Sequence, residues 1–165
     1  MAERVSAAVY PRSDSNYDAG RLRALGLSAT ALLRTGPTNA DDCIASARAL
    51  AAALAQRGNE VLKADRGYTE PHHLATLGDD PPETATRLAR ARIYVSATQA
   101  PGNDQARRRA PSRTQELVPR SLRARDMNHV ADVTTRVRVD HENPEVARNT
   151  VEAVRAGLAR DTVAR

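Results

Sequence analysis

The sequence predicts an α/β fold: a small three-layer or two-layer domain with a parallel or mixed sheet, plus a C-terminal strand–helix unit. Three observations carry that expectation. Short strand-like runs at 4–10, 27–34 and 93–98 alternate with helical stretches, and helical connections between strands favour a parallel or mixed sheet with covered faces. Residues 133–140, VTTRVRVD, show the cleanest two-residue alternation, with Val133, Thr135, Val137 and Val139 on one face. A length of 165 residues suits one domain with a docked appendage. The expected organisation is an α/β domain over 1–98, a basic Pro-containing linker or loop over 99–119, and a helix–strand–helix unit over 120–165 that packs on the first part.

Each element has a local reason. RVSAAVY, 4–10, places Val5, Ala7 and Val9 on one face, and Pro11 with the polar SDSN closes it as a strand. A short helix over 18–25 runs through Leu22 and Leu25. LSATALLR, 27–34, lies between Gly26 and the turn-like Thr35-Gly36-Pro37, which favours a buried strand. The clearest helix spans 40–57: Thr38 or Asn39 caps it, Asp41 and Asp42 suit its positive end, and Gly58 stops it. Cys43, Ala47, Leu50 or Ala51, and Leu54 form its apolar stripe. Val61 and Leu62 centre a short strand. After a loop containing Pro71 and Asp79-Asp80-Pro81-Pro82, residues 83–92 read as helix and IYVSAT, 93–98, as strand. Beyond the linker, 121–130 form a short helix. In the last helix Asn143 caps, Pro144 takes the first helical position, and Val146, Thr150, Val154 and Leu158 recur every four residues.

Composition narrows the class. Leu, Ile and Val total 29 residues, Phe and Trp are absent, and alanine supplies 31, so the core is thin and stability modest. A single cysteine, Cys43, excludes an internal disulfide and a disulfide-stapled secreted fold. The opening MAERVSAAVYPRSD has no sustained apolar core, and the uncharged run ALAAALAQ at 49–56 is far short of the roughly 20 residues that span a bilayer. A cytoplasmic location without a membrane partner is the expectation.

Arginine placement is the strongest functional signal. Twenty-four arginines stand against one lysine, Lys63, a bias that a high-GC organism produces by codon usage, so position carries more information than number. Seven fall within 107–125: Arg107, Arg108, Arg109, Arg113, Arg120, Arg123 and Arg125, against the single acid Glu116. This segment is net +6 by count in a chain of +5. Such a cluster neutralises phosphates and releases counterions without reading sequence. The expected function is therefore a non-enzymatic accessory protein contacting DNA or RNA through those seven arginines, with Arg136 and Arg138 extending the patch. All four tyrosines lie outside the segment, which argues against a base-stacking platform for single strands.

Two other readings stand beside it. One is a small-molecule-binding α/β enzyme whose site is walled by the 35–42 and 72–80 loops, at the strand carboxyl ends where such sheets bind ligands. The other is an oligomeric interaction protein, a homo-oligomer built on the apolar stripe of the last helix. No cofactor is expected. His72 or His73 with Asp79, and His129 with Asp132, are the only metal-ligand pairings to weigh, and neither has a metal-site spacing, so no metal is expected either. Cys43 reads as a small buried hydrophobe, and no nucleophile motif is present.

Overall fold

The computed structural model describes residues 1–13, 18–78, 80–96, 98–99, 108–113 and 122–163. It divides into two units, Met1–Gly36 and Pro37–Arg165. Within the described residues the chain is predominantly helical, and its sheet has three short strands, all antiparallel. The α/β expectation with a parallel or mixed sheet is thereby corrected.

Apart from Met1 and Asp18, the described part of unit 1 is helical. Helix α1 (Ala2–Ala7) runs into a π-helical stretch (Ala8–Ser13), where a strand was expected over 4–10. Alanine, glutamate and arginine favour helix there, and a strand would need a pairing partner. Helix α2 (Ala19–Gln56) begins in this unit and absorbs 27–34, the second expected strand. Its threonines fit because they bond back to the preceding turn: Thr30 Oγ1 donates to the Gly26 carbonyl (2.9 Å) and Thr35 Oγ1 to that of Ala31 (3.1 Å). Pro37 lies inside α2 at the boundary between the units, where it removes one backbone donor from the helix ladder.

Unit 2 contains the core. The remainder of α2 buries Cys43, Ser46, Ala47, Leu50, Ala51, Ala53 and Leu54. Its end is a Schellman arrangement: the Asn59 amide donates to the Leu54 carbonyl (3.1 Å) and that of Gly58 to Ala55 (3.0 Å). Gly58 sits at φ +79°, a left-handed conformation that glycine adopts without steric cost. Strand β1 (His73–Leu77) follows, then α3 (Pro81–Arg90), β2 (Thr98–Gln99), β3 (Arg108–Arg113), α4 (Met127–Arg138) and α5 (Pro144–Val163). Central β3 pairs with β1 on one side, His73 opposite Arg113, and with β2 on the other, Thr98 opposite Arg109. The expected linker over 99–119 thus contains the middle strand. Val61 bridges to Thr76 on the outer side of β1.

Helix α4 replaces the expected strand at 133–140 and joins two hydrophobic clusters. Met127 and Ala131 pack with Leu50, Ala51, Leu54, Val61 and Leu74. Val133 and Val137 pack with Leu88, Ala91 and Ala147. Serving two clusters widens the buried arc of α4, so its apolar residues also fall at alternate positions. The helix expected over 40–57 is the C-terminal part of α2, which runs on from Ala19 through Thr38 and Asn39 without a cap there. The helices expected over 83–92 and from Pro144 correspond to α3 and α5. Asp80 Oδ1 accepts from the Glu83 amide (3.0 Å) to cap α3, and Asn143 Oδ1 from that of Glu145 (2.9 Å) to cap α5. Among the described side chains of α5 the buried one is Ala147, with Val151 packed beside it, whereas Val146 is exposed. Among the described residues no helix is long and apolar enough to cross a membrane.

Candidate functional site

In unit 2, a cavity of about 290 Å³ is lined by Asn39, Ala40, Cys43 and Ile44 of α2 and by Pro71 and His72, just before β1. The four α2 residues share one helical face by their spacing. Two hydrogen bonds position the 71–72 segment, one from the helix and one within the segment's own flanks. Arg48 Nε donates to the Thr69 carbonyl (2.9 Å), and Thr69 Oγ1 donates to the carbonyl of His73 (2.5 Å). His72 stacks on His73 with ring centroids 3.8 Å apart. The cavity thus brings Asn39 and Ala40, from the expected 35–42 wall, to His72 of the expected 72–80 wall. Neither wall is a loop: the first is part of α2, and the second is largely β1.

The electrostatics of this site do not activate a nucleophile. Burial pushes the Cys43 thiol above its ordinary pKa and the carboxylate of Asp42 pushes it further, while the Arg123 guanidinium works the other way. A thiol so held stays protonated near neutral pH and is a poor nucleophile. The chemistry on offer is the seating of a small, partly apolar group beside an imidazole. A second concavity of about 270 Å³, lined by Leu27, Thr30, Ala31, Arg34 and Thr35, lies in unit 1 and has no acid, thiol or imidazole in its wall.

The seven expected arginines do not share one setting. Arg107 and Arg120 lie outside the described residues. Arg108, Arg109 and Arg113 belong to β3, where the backbone places them opposite Gln99, Leu77 and His73 respectively. Arg123 Nε meets Asp42 Oδ2 at 3.2 Å, and Arg125 Nε meets Asp126 Oδ1 at 3.7 Å. Arg136 and Arg138, expected on the wet face of a strand, are on α4 and are engaged. Arg136 Nη2 bonds Glu142 Oε1 at 2.6 Å, and its Nη1 lies 3.8 Å from Asp132.

Arg138 belongs to a buried polar network that sequence reasoning missed. Its Nη1 donates to Asn59 Oδ1 (2.9 Å), its Nη2 donates to the Leu77 carbonyl, and burial holds its pKa below the ordinary arginine value. Asn59 in turn donates to Thr135 Oγ1 (2.8 Å) and the Leu54 carbonyl (3.1 Å). Arg87 closes the end of α4, donating to the Val137 carbonyl (2.5 Å) and to His141 Nδ1 (2.6 Å). These arginines act as structural donors to carbonyls, a role their sequence positions do not announce. Asp132, one of the metal-ligand candidates, lies 4.0 Å from Arg57 and 3.8 Å from Arg136. Among the described residues no group of three His, Cys, Asp or Glu could hold a metal ion.

No protein-family profile matches the chain. It is similar to curated proteins that share one name, serine hydroxymethyltransferase. It is 30% identical over 161 residues to that of Thermoplasma acidophilum, covering 93% of this chain and 38% of the relative. With that of Methanobrevibacter smithii it is 32% identical over 148 residues, 86% of this chain and 35% of the relative. With that of Methanopyrus kandleri it is 29% identical over 165 residues, 94% and 38%. The chain therefore spans little more than a third of the length of these relatives. Among solved structures it is similar to an L-threonine transaldolase from Pseudomonas fluorescens in its internal aldimine state, with a TM-score of 0.63 and 18% identity, over 72% of this chain and 27% of that one. That likeness speaks for the fold. The relatives bear the name of an enzyme, and this overturns the expectation of a non-enzymatic accessory protein with DNA or RNA as its partner.

Proposed function

We propose that this chain serves serine hydroxymethyltransferase-type chemistry as a lobe that shapes the site, while the lysine that holds the cofactor lies outside residues 1–165. The observation that carries this reading is similarity to several enzymes of one name over 86–94% of the chain. Because the chain matches little more than a third of each relative, their whole activity is assigned to it only in combination with the remaining part.

An internal aldimine is a Schiff base between a lysine and pyridoxal phosphate, so a cofactor seat of that kind needs a lysine facing a cavity. Lys63 is the one lysine of the chain. It is exposed, adopts a left-handed backbone (φ 60°) ahead of the turn at Ala64–Arg66, and lines neither cavity. The residues present do not fit the cofactor, and no catalytic step is assigned to them through it. The contribution of unit 2 is a packed wall in which the middle of α2 and the segment just before β1 hold Asn39, Cys43 and His72 around a small recess.

The test is a chimera in which residues 37–165 replace the matching stretch of the Methanobrevibacter smithii relative. Retained aldimine absorbance together with measurable serine cleavage is the expected result. A soluble chimera that keeps the aldimine band yet leaves serine untouched overturns the reading.

A further inference from the structure

The recess of unit 2 has one rigid wall and one that a few contacts hold in place. The rigid wall is α2, where Cys43 is 5% exposed and Asn39, Ala40 and Ile44 lie within the same two turns. The other wall, Pro71 and His72, belongs to a four-residue strap, Thr69–His72, strung between two fixed points. Before it, the Tyr68 side chain packs against the larger hydrophobic cluster; after it, His73 begins β1. The base of the segment is pinned as well: the Leu62 amide donates to the Ala75 carbonyl (2.9 Å) and that of Leu77 to Glu60 (2.9 Å).

Two features make the strap a moving part. At its start Gly67 and Tyr68 hold φ +73° and +70°. Glycine takes that conformation without cost, whereas a tyrosine is strained by it, so rotation of the backbone at Tyr68 relieves strain as the strap lifts. The strap also buries no side chain: Thr69 and His72 are half-buried, and Glu70 and Pro71 are exposed, which leaves little apolar contact to hold it down. What ties it to the helix is Arg48, one turn beyond Ile44 and on the same face by that spacing. Arg48 Nε donates to the Thr69 carbonyl (2.9 Å). Thr69 carries the hold along the strap, its hydroxyl shared between the carbonyls of Pro71 (3.2 Å) and His73 (2.5 Å).

Resting on the function proposed above, in which this recess is part of the site, we infer that Thr69–His72 is a strap that opens and closes the recess, with Arg48 as the positioning residue that latches it shut. The backbone at Gly67 and Tyr68 is the hinge. Opening admits a small neutral solute to the Cys43 wall, and closing excludes water from it.

Cys43 is the one cysteine of the chain, so alkylation of the full chain by iodoacetamide reads access to the recess directly. The expected result is that R48M and T69V each react at least about fivefold faster than the parent, the weight of one hydrogen bond. R48Q, whose amide nitrogen stands as many bonds from the backbone as Arg48 Nε, should stay within about twofold of the parent. R66M, on the exposed turn of the same segment, should leave the rate unchanged. Loss of the cation at position 48 works the other way by itself, because it favours the protonated thiol and slows alkylation. Rates followed from zero to moderate urea separate strap opening, which is flat in urea, from global unfolding, which climbs. Three results overturn the inference: equal rates for parent, R48M and T69V; a rate that climbs with urea from the outset; or R66M as fast as R48M. Alkylation needs no enzymatic activity, so the two readings fail separately. An active chimera with R48M as slow as the parent removes the strap alone, and a gated Cys43 with an inactive chimera removes the proposed function and leaves the gate standing.

Discussion

Replacing Arg138 by Met keeps an unbranched apolar stem and deletes the guanidinium with its donors, which tests whether this arginine is a structural pin. Two acceptors lose their partner, the Leu77 carbonyl and Asn59 Oδ1, and Asn59 is only 6% exposed. A buried acceptor left unsatisfied costs about 1–3 kcal/mol. Against this, Arg138 has no carboxylate partner among the described residues and is held partly away from water, so removing its charge recovers some desolvation free energy. The net expectation is a loss of about 2 kcal/mol, a fall in Tm of roughly 4–10 °C for a unit of this size. Urea titration and thermal melting followed by circular dichroism read both quantities. R138K should recover less than half of the loss, since an ammonium cannot reproduce the two-pronged geometry. A cycle combining R138M with N59A should show coupling of about 0.5 kcal/mol or more, because the residues share a hydrogen bond. An R138M protein as stable as the parent, or strict additivity in the cycle, refutes the pinning role.

Three further outcomes follow from the packing. Gly58→Ala should destabilise by about 1 kcal/mol in urea titration, since Gly58 holds φ +79° at the end of α2. Leu54→Ala should cost about 2–5 kcal/mol in the same assay, because Leu54 is 1% exposed within the larger cluster. Cys43 has a folded pKa above its unfolded value, so its contribution is complete below the ordinary thiol pKa, about 9.0, and is lost as pH rises through the folded value. Urea midpoints of the parent should therefore fall more between about pH 8 and pH 10.5 than those of Cys43→Ala, whose profile is flatter.

What the sequence disclosed depended on whether the signal was local. The end of α2 and the start of α5 were legible because Gly58 and Asn143 do their work within a few residues of themselves, whereas Asp80, the cap of α3, read as part of a loop. The strand expected at 133–140 failed because α4 packs against two clusters, a tertiary fact that widens its apolar arc into an apparent alternation. β3 was invisible for the opposite reason. RRAPSR has three arginines and a proline, which argue for a loop, and only pairing with β1 and β2 makes it a strand. The recess was half legible: the 35–42 and 72–80 segments were singled out, and the structure brings Asn39 and His72 together. Arginine counting misled, because Arg123 and Arg136 face carboxylates and Arg138 faces a carbonyl and an amide, contacts set by distant parts of the chain.

The central claim is that residues 1–165 help complete a serine-cleaving site whose lysine lies outside them. Serine cleavage should be measured with pyridoxal phosphate on three samples: the full chain, the lysine-bearing portion of the Methanobrevibacter smithii relative, and the two co-expressed. Activity in the co-expressed sample well above that of either part is the predicted result. Serine cleavage by the chain alone, or no gain on co-expression, would contradict it.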